Sequence, residues 1–244
     1  MRRVFFVFAV MAAMMSCQNP TSTEKQNTEN VQATKAMQTS IISASEQQAL
    51  SPDLVIRELK EGNQRFVNND LNTRDNQALV KDAVSGQHPK AIVLSCIDSR
   101  VPVEEIFDQG IGDLFVGRLA GNIVNEDMLG SMEYSCKVAG SKLILVMGHE
   151  SCGAVKAAID DVELGNITEL LSKIEPAIQL SEDFEGEHST KNAKYVDRVI
   201  TNNVLLTIEQ IREDSPILKE MEEKGEIKIV GAYYSLHSGE VSFL

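Results

Sequence analysis

Residues 91–100 read AIVLSCIDSR, in which an apolar run is followed at once by polar, chemically reactive side chains. The run AIVLSCI is continuously apolar and rich in β-branched residues, which predicts a strand buried on both faces. Strands of this kind are typical of parallel sheets that are covered by helices. The strand ends in a thiol, a carboxylate and a guanidinium at Cys96, Asp98 and Arg100, which a hydrophobic core does not need. We therefore expect an α/β domain with a polar site at the end of this strand.

The alternation of strand and helix patterns continues along the chain. We predict strands at 91–97, 113–119, 142–149 and 227–236, a fifth strand after Ser238-Gly239, and helices at 51–69, 103–110, 128–140, 195–213 and from 152 onward. This order predicts a mostly parallel central sheet of about four strands with an antiparallel edge strand and helices on both faces. Ligands bind at the carboxyl ends of such strands, where Cys96 and His149 should meet.

The amino-terminal segment predicts export. The basic MRR precedes VFFVFAVMAAMM, an apolar run of twelve residues that is too short to span a bilayer comfortably. A small residue then precedes Cys17, which resembles a bacterial lipoprotein signal; an ordinary secretory signal is the alternative. We expect a signal peptide at 1–16, a lipid on Cys17, a disordered polar tether over 17–45 and a catalytic domain over 46–244. The expected location is periplasmic or cell-envelope, with membrane contact through the lipid only.

Charge and cysteine content limit the choice of partners. The net charge of −13 argues against a nucleic-acid partner, because binding to phosphates needs a basic surface. If Cys17 carries a lipid, three cysteines remain, Cys96, Cys136 and Cys152. An odd number does not fit a simple disulfide framework. Cys136 lies in a helical pattern, and we interpret it as a small buried apolar residue.

GHESCG (148–153) places His149 and Cys152 three residues apart at a strand-to-helix turn. With Cys96 they form a Cys₂His set, which is a zinc combination that can leave a fourth position open. Asp98 could be that fourth ligand, or Arg100 could hold it away from the metal in a bidentate pair. A disulfide between Cys96 and Cys152, a catalytic thiol and a purely structural zinc are the alternatives.

CIDSR (96–100) and HESCG (149–153) together resemble the motifs of the β-class carbonic anhydrases, in a bacterial, exported, lipoprotein-like form. The resemblance covers roughly residues 51–244. It includes LKEGNQRFV (59–67), GDLFVGRLAGNIV (112–124), GSMEY (130–134) and the closing GAYYSLHSGEVSFL (231–244).

The resemblance implies reversible hydration of CO2 to bicarbonate and a proton through a zinc-bound hydroxide, with one Zn²⁺ per subunit. Cys96, His149 and Cys152 would be the ligands, and Asp98 and Arg100 the catalytic pair. The implied substrate-binding residues are Gln87, nine residues before Cys96 and supplied across a dimer interface, together with Phe115, Tyr134 and Gly153. The partner is then a second copy, in a homodimer or tetramer.

Some members of this class are regulated by bicarbonate that binds at a noncatalytic site, and these members use a Trp in that site. This chain has no Trp. We therefore expect a resting state in which Asp98 pairs with Arg100 and water occupies the fourth zinc position. Two other functions remain open: hydrolysis of CS2 or COS on the same site, and binding of bicarbonate by a zinc protein with little turnover.

Overall fold

The computed structural model describes residues 36–244, and its centre is a five-stranded sheet. The strand order is β2-β1-β3-β4-β5; the first four strands are parallel, and β5 is antiparallel to β4. This confirms the predicted sheet. The strands are β1 (Ala91–Ser95), β2 (Leu114–Arg118), β3 (Leu143–His149), β4 (Lys228–Tyr234) and β5 (Val241–Phe243).

Helices cover both faces of the sheet, also as predicted. They are α1 (Ala44–Ala49), α2 (Pro52–Val67), α3 (Asn76–Asp82), α4 (Val103–Ile106), α5 (Glu126–Glu133), α6 (Gly153–Ile159), α7 (Asn166–Ser172), α8 (Glu175–Gln179), α9 (Ala193–Asp214) and α10 (Pro216–Glu223). Short 3₁₀ turns follow α3 at Ala83–Ser85 and β2 at Ala120–Asn122, and a π-helical turn follows α5 at Tyr134–Val138.

Strands β1 and β3 are buried along their whole length, which explains why their sequences are continuously apolar. Successive side chains of a strand point to opposite faces. Ile92 and Leu94 accordingly pack in the cluster that contains residues of α5, α9 and α10, whereas Val93 packs with residues of α2 and α4. Each fully buried aliphatic side chain contributes about 1.5–3 kcal/mol to the free energy of folding. Packing on both faces therefore holds β1 in place, and with it the position of its carboxyl end.

Two predicted helices differ from the observed ones. The helix expected over 128–140 begins at Glu126, where the Asn125 side chain accepts a hydrogen bond from the Met128 N–H, and it is α-helical only to Glu133. Its last turn is π-helical because the Ala139 N–H donates to the carbonyl of Tyr134, five residues earlier. The helix that follows Cys152 ends already at Ile159.

The structure also differs from the sequence expectation at the end of the predicted tether. The Gln38 N–H donates to Thr73 O at 2.9 Å, and the Ile41 N–H donates to Asp82 Oδ2 at 2.9 Å. Ser43 and Glu46 then form a capping box that starts α1. The domain therefore begins before residue 46, because these backbone groups find partners that composition alone does not reveal. The predicted signal peptide, Cys17 and residues 18–35 of the tether lie outside the described residues.

Over residues 36–244, none of the helices is both long enough and apolar enough to cross a membrane.

Candidate metal centre

Three potential metal ligands meet at the carboxyl edge of the parallel strands. Cys96 directly follows β1, His149 is the last residue of β3, and Cys152 precedes the first residue of α6. All three residues are buried, and their ligand atoms lie within 4.8 Å of one another. The two sulfur atoms are 3.9 Å apart. The fold therefore brings together the three residues that the sequence predicted as ligands.

The imidazole of His149 is oriented for metal binding. Its Nδ1 lies 2.9 Å from the carbonyl oxygen of Glu150, which can only accept, so Nδ1 carries the proton and donates. Nε2 is then a bare acceptor; it is buried and finds no hydrogen-bond partner among residues 36–244. A buried polar atom left in this state costs about 1–3 kcal/mol, which a metal ion at Nε2 would remove. The two thiols and the imidazole match the donor set of zinc.

The pKa values of the two thiols, Cys96 and Cys152, are shifted in opposite directions. The pKa of Cys96 is lowered to about 4, because hydrogen bonds to its sulfur from the Cys152 thiol and the Gly121 N–H stabilise the thiolate more than burial opposes it. The pKa of Cys152 is raised, because it lies against Cys96 and is itself buried. Two thiolates at this separation need a cation between them, and a bound divalent cation deprotonates its thiol ligands.

Asp98 is turned toward Arg100. The guanidinium donates from Nε to Oδ1 at 3.0 Å and from Nη2 to Oδ2 at 2.8 Å, and the Arg100 N–H also donates to Oδ1 at 2.9 Å. These bonds to Arg100 hold the pKa of Asp98 at about 2 against the opposing effect of burial. Oδ2 lies 3.8 Å from Nε2 of His149, so the carboxylate stands next to the ligand cluster. The sequence left two positions open for Asp98, and the structure has it on Arg100.

The main chain around Cys96 is clamped by a residue from the next strand. Arg118 ends β2 and donates from Nε to the Cys96 carbonyl at 2.9 Å and from Nη2 to the Asp98 carbonyl at 2.5 Å. The register of the parallel pair places Arg118 opposite Ser95, one residue before Cys96. Arg118 therefore braces the strand end and fixes the direction of both functional side chains.

Backbone and helix donors near Cys96 were not recognised in the sequence. The Gly121 N–H donates to the Cys96 sulfur at 3.4 Å, and Asn203 of α9 donates to the Gly121 carbonyl at 2.7 Å. The second glycine of GRLAGN (117–122) is the one available signal in the sequence for a tight turn at Gly121, because glycine tolerates positive φ. Nothing in the sequence connects it with Asn203, 82 residues away.

The predicted substrate-binding residues lie in three different places. Phe115 and Tyr134 form an edge-to-face pair with ring centroids 6.2 Å apart, and both line a groove of about 730 Å³ that Arg118 also lines. Gly153 is exposed at the start of α6. Gln87 is exposed before the amino end of β1, whereas the ligands lie beyond its carboxyl end. At about 3.3 Å per residue, β1 alone separates them by more than the reach of a side chain.

The fold and the site together define an α/β domain with a Cys₂His cluster at the carboxyl edge of its parallel strands, a donor set that suits zinc. The sequence profile of the family described as carbonic anhydrase matches residues 91–241. Carbonic anhydrase 2 of Mycobacterium tuberculosis is 35% identical over 198 residues, which cover 78% of this chain and 91% of that protein. A carbonic anhydrase of Mycolicibacterium smegmatis is also 35% identical and covers 78% and 92%.

Solved structures agree with this assignment. The β-carbonic anhydrase CcaA superposes with a TM-score of 0.63 at 26% identity, covering 78% of this chain and 94% of that one. A tetrameric β-carbonic anhydrase from Sordaria macrospora gives a TM-score of 0.61 at 23% identity, covering 69% and 87%, and shows the shared fold. The chain therefore belongs to the carbonic anhydrase family, in its β class, and is an enzyme. Enzymes of this class use zinc, which the donor set of the site fits.

Proposed function

We propose that the protein catalyses the reversible hydration of CO2 to bicarbonate and a proton, with one zinc ion held by Cys96, His149 and Cys152. The observation that carries the proposal is that His149 has a bare, buried Nε2 and belongs to a buried cluster whose ligand atoms, with the sulfurs of Cys96 and Cys152, lie within 4.8 Å of one another. Three protein ligands leave a fourth position open, as catalytic zinc sites do. When bound, zinc lowers the pKa of water toward neutrality and so supplies a nucleophile at physiological pH.

Asp98 would orient the attacking water. A carboxylate can only accept hydrogen bonds, and with a pKa of about 2, which its bonds to Arg100 maintain, Asp98 remains ionised at neutral pH. Its Oδ2 faces the ligand cluster and bonds to only one nitrogen of Arg100, so one lone pair remains for a water O–H. By accepting this hydrogen bond, Asp98 would restrict the orientation of the attacking water.

Arg100 would keep Asp98 in this position. Its two parallel hydrogen bonds match the planar carboxylate, which gives the pair a defined orientation as well as attraction. A third bond from Nη2 to the carbonyl of Ser151 at 3.4 Å connects the pair with the turn that carries Cys152. These contacts support the part of the expected resting state in which Asp98 pairs with Arg100, and we propose that water occupies the fourth zinc position in that state.

The substrate pocket would be completed by a second copy of the chain. Gln87 lies at the opposite end of β1 from the ligands of its own chain, so it can contribute only to a neighbouring subunit. Phe115, Val116 and Tyr134 expose apolar surface on the edge strand β2 and the adjoining helix, where another subunit can pack. The related Sordaria macrospora enzymes are tetrameric. We therefore propose a homodimer or tetramer, with Phe115, Tyr134 and Gly153 around the substrate.

We also propose that the enzyme is exported and anchored in the cell envelope by a lipid on Cys17. The support is the basic start, the apolar run and the small residue before Cys17. Labelling of cells with an alkyne analogue of palmitate tests this. The wild-type chain should take up label and fractionate with membranes, whereas Cys17→Ser should not; labelling of both variants or neither would contradict the proposal.

Stopped-flow CO2 hydration on the zinc-loaded protein tests the proposed activity. Wild type should release protons rapidly, and Cys96→Ser should fall to the uncatalysed rate because a metal ligand is lost. Cys136→Ser is the matched control: it also changes a buried cysteine, but one outside the ligand cluster, and it should retain turnover. If wild type released protons no faster than Cys96→Ser, the proposal would be rejected, and CS2 and COS would be the next substrates to assay.

A further inference from the structure

The turn after β2 contacts Cys96 through a residue that must be glycine. Gly121 is buried, with φ 69° and ψ 18°, in the left-handed region that side chains rarely adopt. A Cβ at this position would also lie 2.7 Å from Cδ1 of Ile174. In this conformation the Gly121 N–H points at the Cys96 sulfur, 3.4 Å away.

The side chain of Asn203 holds this turn from the opposite direction. Asn203 lies in α9, is only 2% exposed, and donates from Nδ2 to the Gly121 carbonyl at 2.7 Å. Helix α9 packs on β3, where a Cβ at Gly148 would lie 2.8 Å from Ile200 and 2.8 Å from Val204. Because α9 packs this closely against β3, the Asn203 amide has a fixed position relative to the strand ends.

We infer that Asn203 is a positioning residue for the metal ligand Cys96, acting through the peptide groups of Gly121. The inference rests on the proposed zinc site. The hydrogen bond from Asn203 holds the Gly121 carbonyl in place and so keeps Gly121 in its left-handed conformation. In that conformation the Gly121 N–H donates to the sulfur of Cys96. A hydrogen bond to a ligand sulfur withdraws charge from it and leaves the metal a stronger Lewis acid.

Cobalt(II) substitution gives a readout of the sulfur ligand that does not depend on turnover. Asn203→Leu removes the donor at similar volume. Its thiolate-to-cobalt charge-transfer band should move to longer wavelength, because a sulfur without its N–H donor is a better electron donor. Cobalt affinity should nevertheless fall about 10-fold, a typical effect of a lost outer-shell partner, because the turn no longer holds the sulfur in its binding position. The pH–rate profile of the zinc form should shift to higher pH.

Thr207→Val is the matched control, because Thr207 is also buried on α9, one turn further along. Within residues 36–244, its side chain forms no hydrogen bond with the turn at 119–122. The control should leave the band and the pH profile unchanged. If Asn203→Leu lost stability or activity but kept the wild-type band and pH profile, Asn203 would be merely structural and the inference would be overturned.

A measurement on the wild-type protein covers the case in which Asn203→Leu does not fold. With ¹¹³Cd in the site, a scalar coupling between the Gly121 amide proton and the metal should be observed, because the N–H···S bond transmits it. Its absence, in a protein whose other ligand couplings are present, would overturn the inference. If wild type showed no thiolate charge-transfer band and bound no cadmium, the proposed zinc site would fail, and this inference with it.

Discussion

Asp98 lies between two partners, with Oδ2 2.8 Å from Nη2 of Arg100 and 3.8 Å from Nε2 of His149. Of these two contacts, only the one with Arg100 is a hydrogen bond. The carboxylate is therefore paired with the guanidinium and lies next to the proposed metal ligands. In the proposed mechanism this arrangement separates metal binding by the Cys₂His cluster from water orientation by Asp98, and the two roles can be tested separately.

Asp98→Asn should abolish most turnover and leave the metal in place. The amide is neutral and one of its two polar groups is a donor, so it orients water poorly; loss of such a group lowers the rate by about 10²–10⁴-fold. Stopped-flow hydration gives the rate, and elemental analysis gives the zinc content. Asp183→Asn is the control, because Asp183 also pairs with an arginine, Arg198, but is exposed. Loss of zinc from Asp98→Asn would show instead that Asp98 is a ligand.

Asp108 predicts how stability depends on pH. Its carboxylate is fully buried between Arg65 and Arg74, with nitrogen–oxygen distances of 2.5 and 2.7 Å. Burial raises the pKa of Asp108, but the hydrogen bonds from both arginines and from the Asn72 N–H together outweigh this effect and hold the pKa below its ordinary value. The depressed pKa stabilises the folded state above the unfolded pKa of about 3.9, and this contribution is lost as pH falls through the folded pKa.

Asp108→Asn should therefore cost about 3–5 kcal/mol at neutral pH, because two partly buried arginines lose their partner. The difference from wild type should shrink as the pH falls from the ordinary aspartate pKa, where the unfolded chain takes up the proton, through the lower folded pKa, where Asp108 of the folded protein is protonated as well. Urea unfolding of both proteins across this range measures it. The readout is the difference between the two proteins, since zinc release in acid affects both. A difference that stays constant with pH would contradict the assigned role.

Gly121→Ala should destabilise the protein and weaken metal binding together. The new methyl group meets Ile174, and the positive φ costs about 1–3 kcal/mol for a residue with a side chain. Gly130→Ala is the control: Gly130 is exposed in α5, a Cβ there would meet no atom within 4 Å, and alanine should stabilise the helix by about 0.8–1 kcal/mol. Thermal unfolding and zinc titration measure both quantities. Unchanged zinc affinity in Gly121→Ala would disconnect the turn from the site.

The sequence predicted the strand ends and the ligand set because both follow from local patterns. Buried strands are continuously apolar, and a ligand such as His149 ends such a run, so its position in the sheet follows from topology. Contacts across long separations leave no such pattern. The bond from Asn203 to Gly121, the burial of Asp108 between two arginines, and the π-helical turn at Tyr134–Val138 each depend on tertiary packing, which residue order alone does not specify.

Gln87 should act on the active site of a neighbouring subunit, because β1 separates it from the ligands of its own chain. Gln87→Ala and Cys96→Ser should each lose activity as separate proteins. When the two are unfolded, mixed and refolded together, hybrid oligomers contain one site with all three ligands and an intact Gln87 from the partner. Activity of the mixture should therefore rise above the sum of the parents.

The control for this experiment is a mixture of Asp98→Asn with Cys96→Ser, which should stay inactive. Asp98 and Cys96 serve the site of the same chain, so in every hybrid one site lacks the Asp98 carboxylate and the other lacks a metal ligand. Refolding alone therefore restores nothing in this mixture, and any gain seen with Gln87→Ala comes from exchange of Gln87 between subunits. A Gln87→Ala mixture that remained as inactive as this control would place Gln87 outside the site.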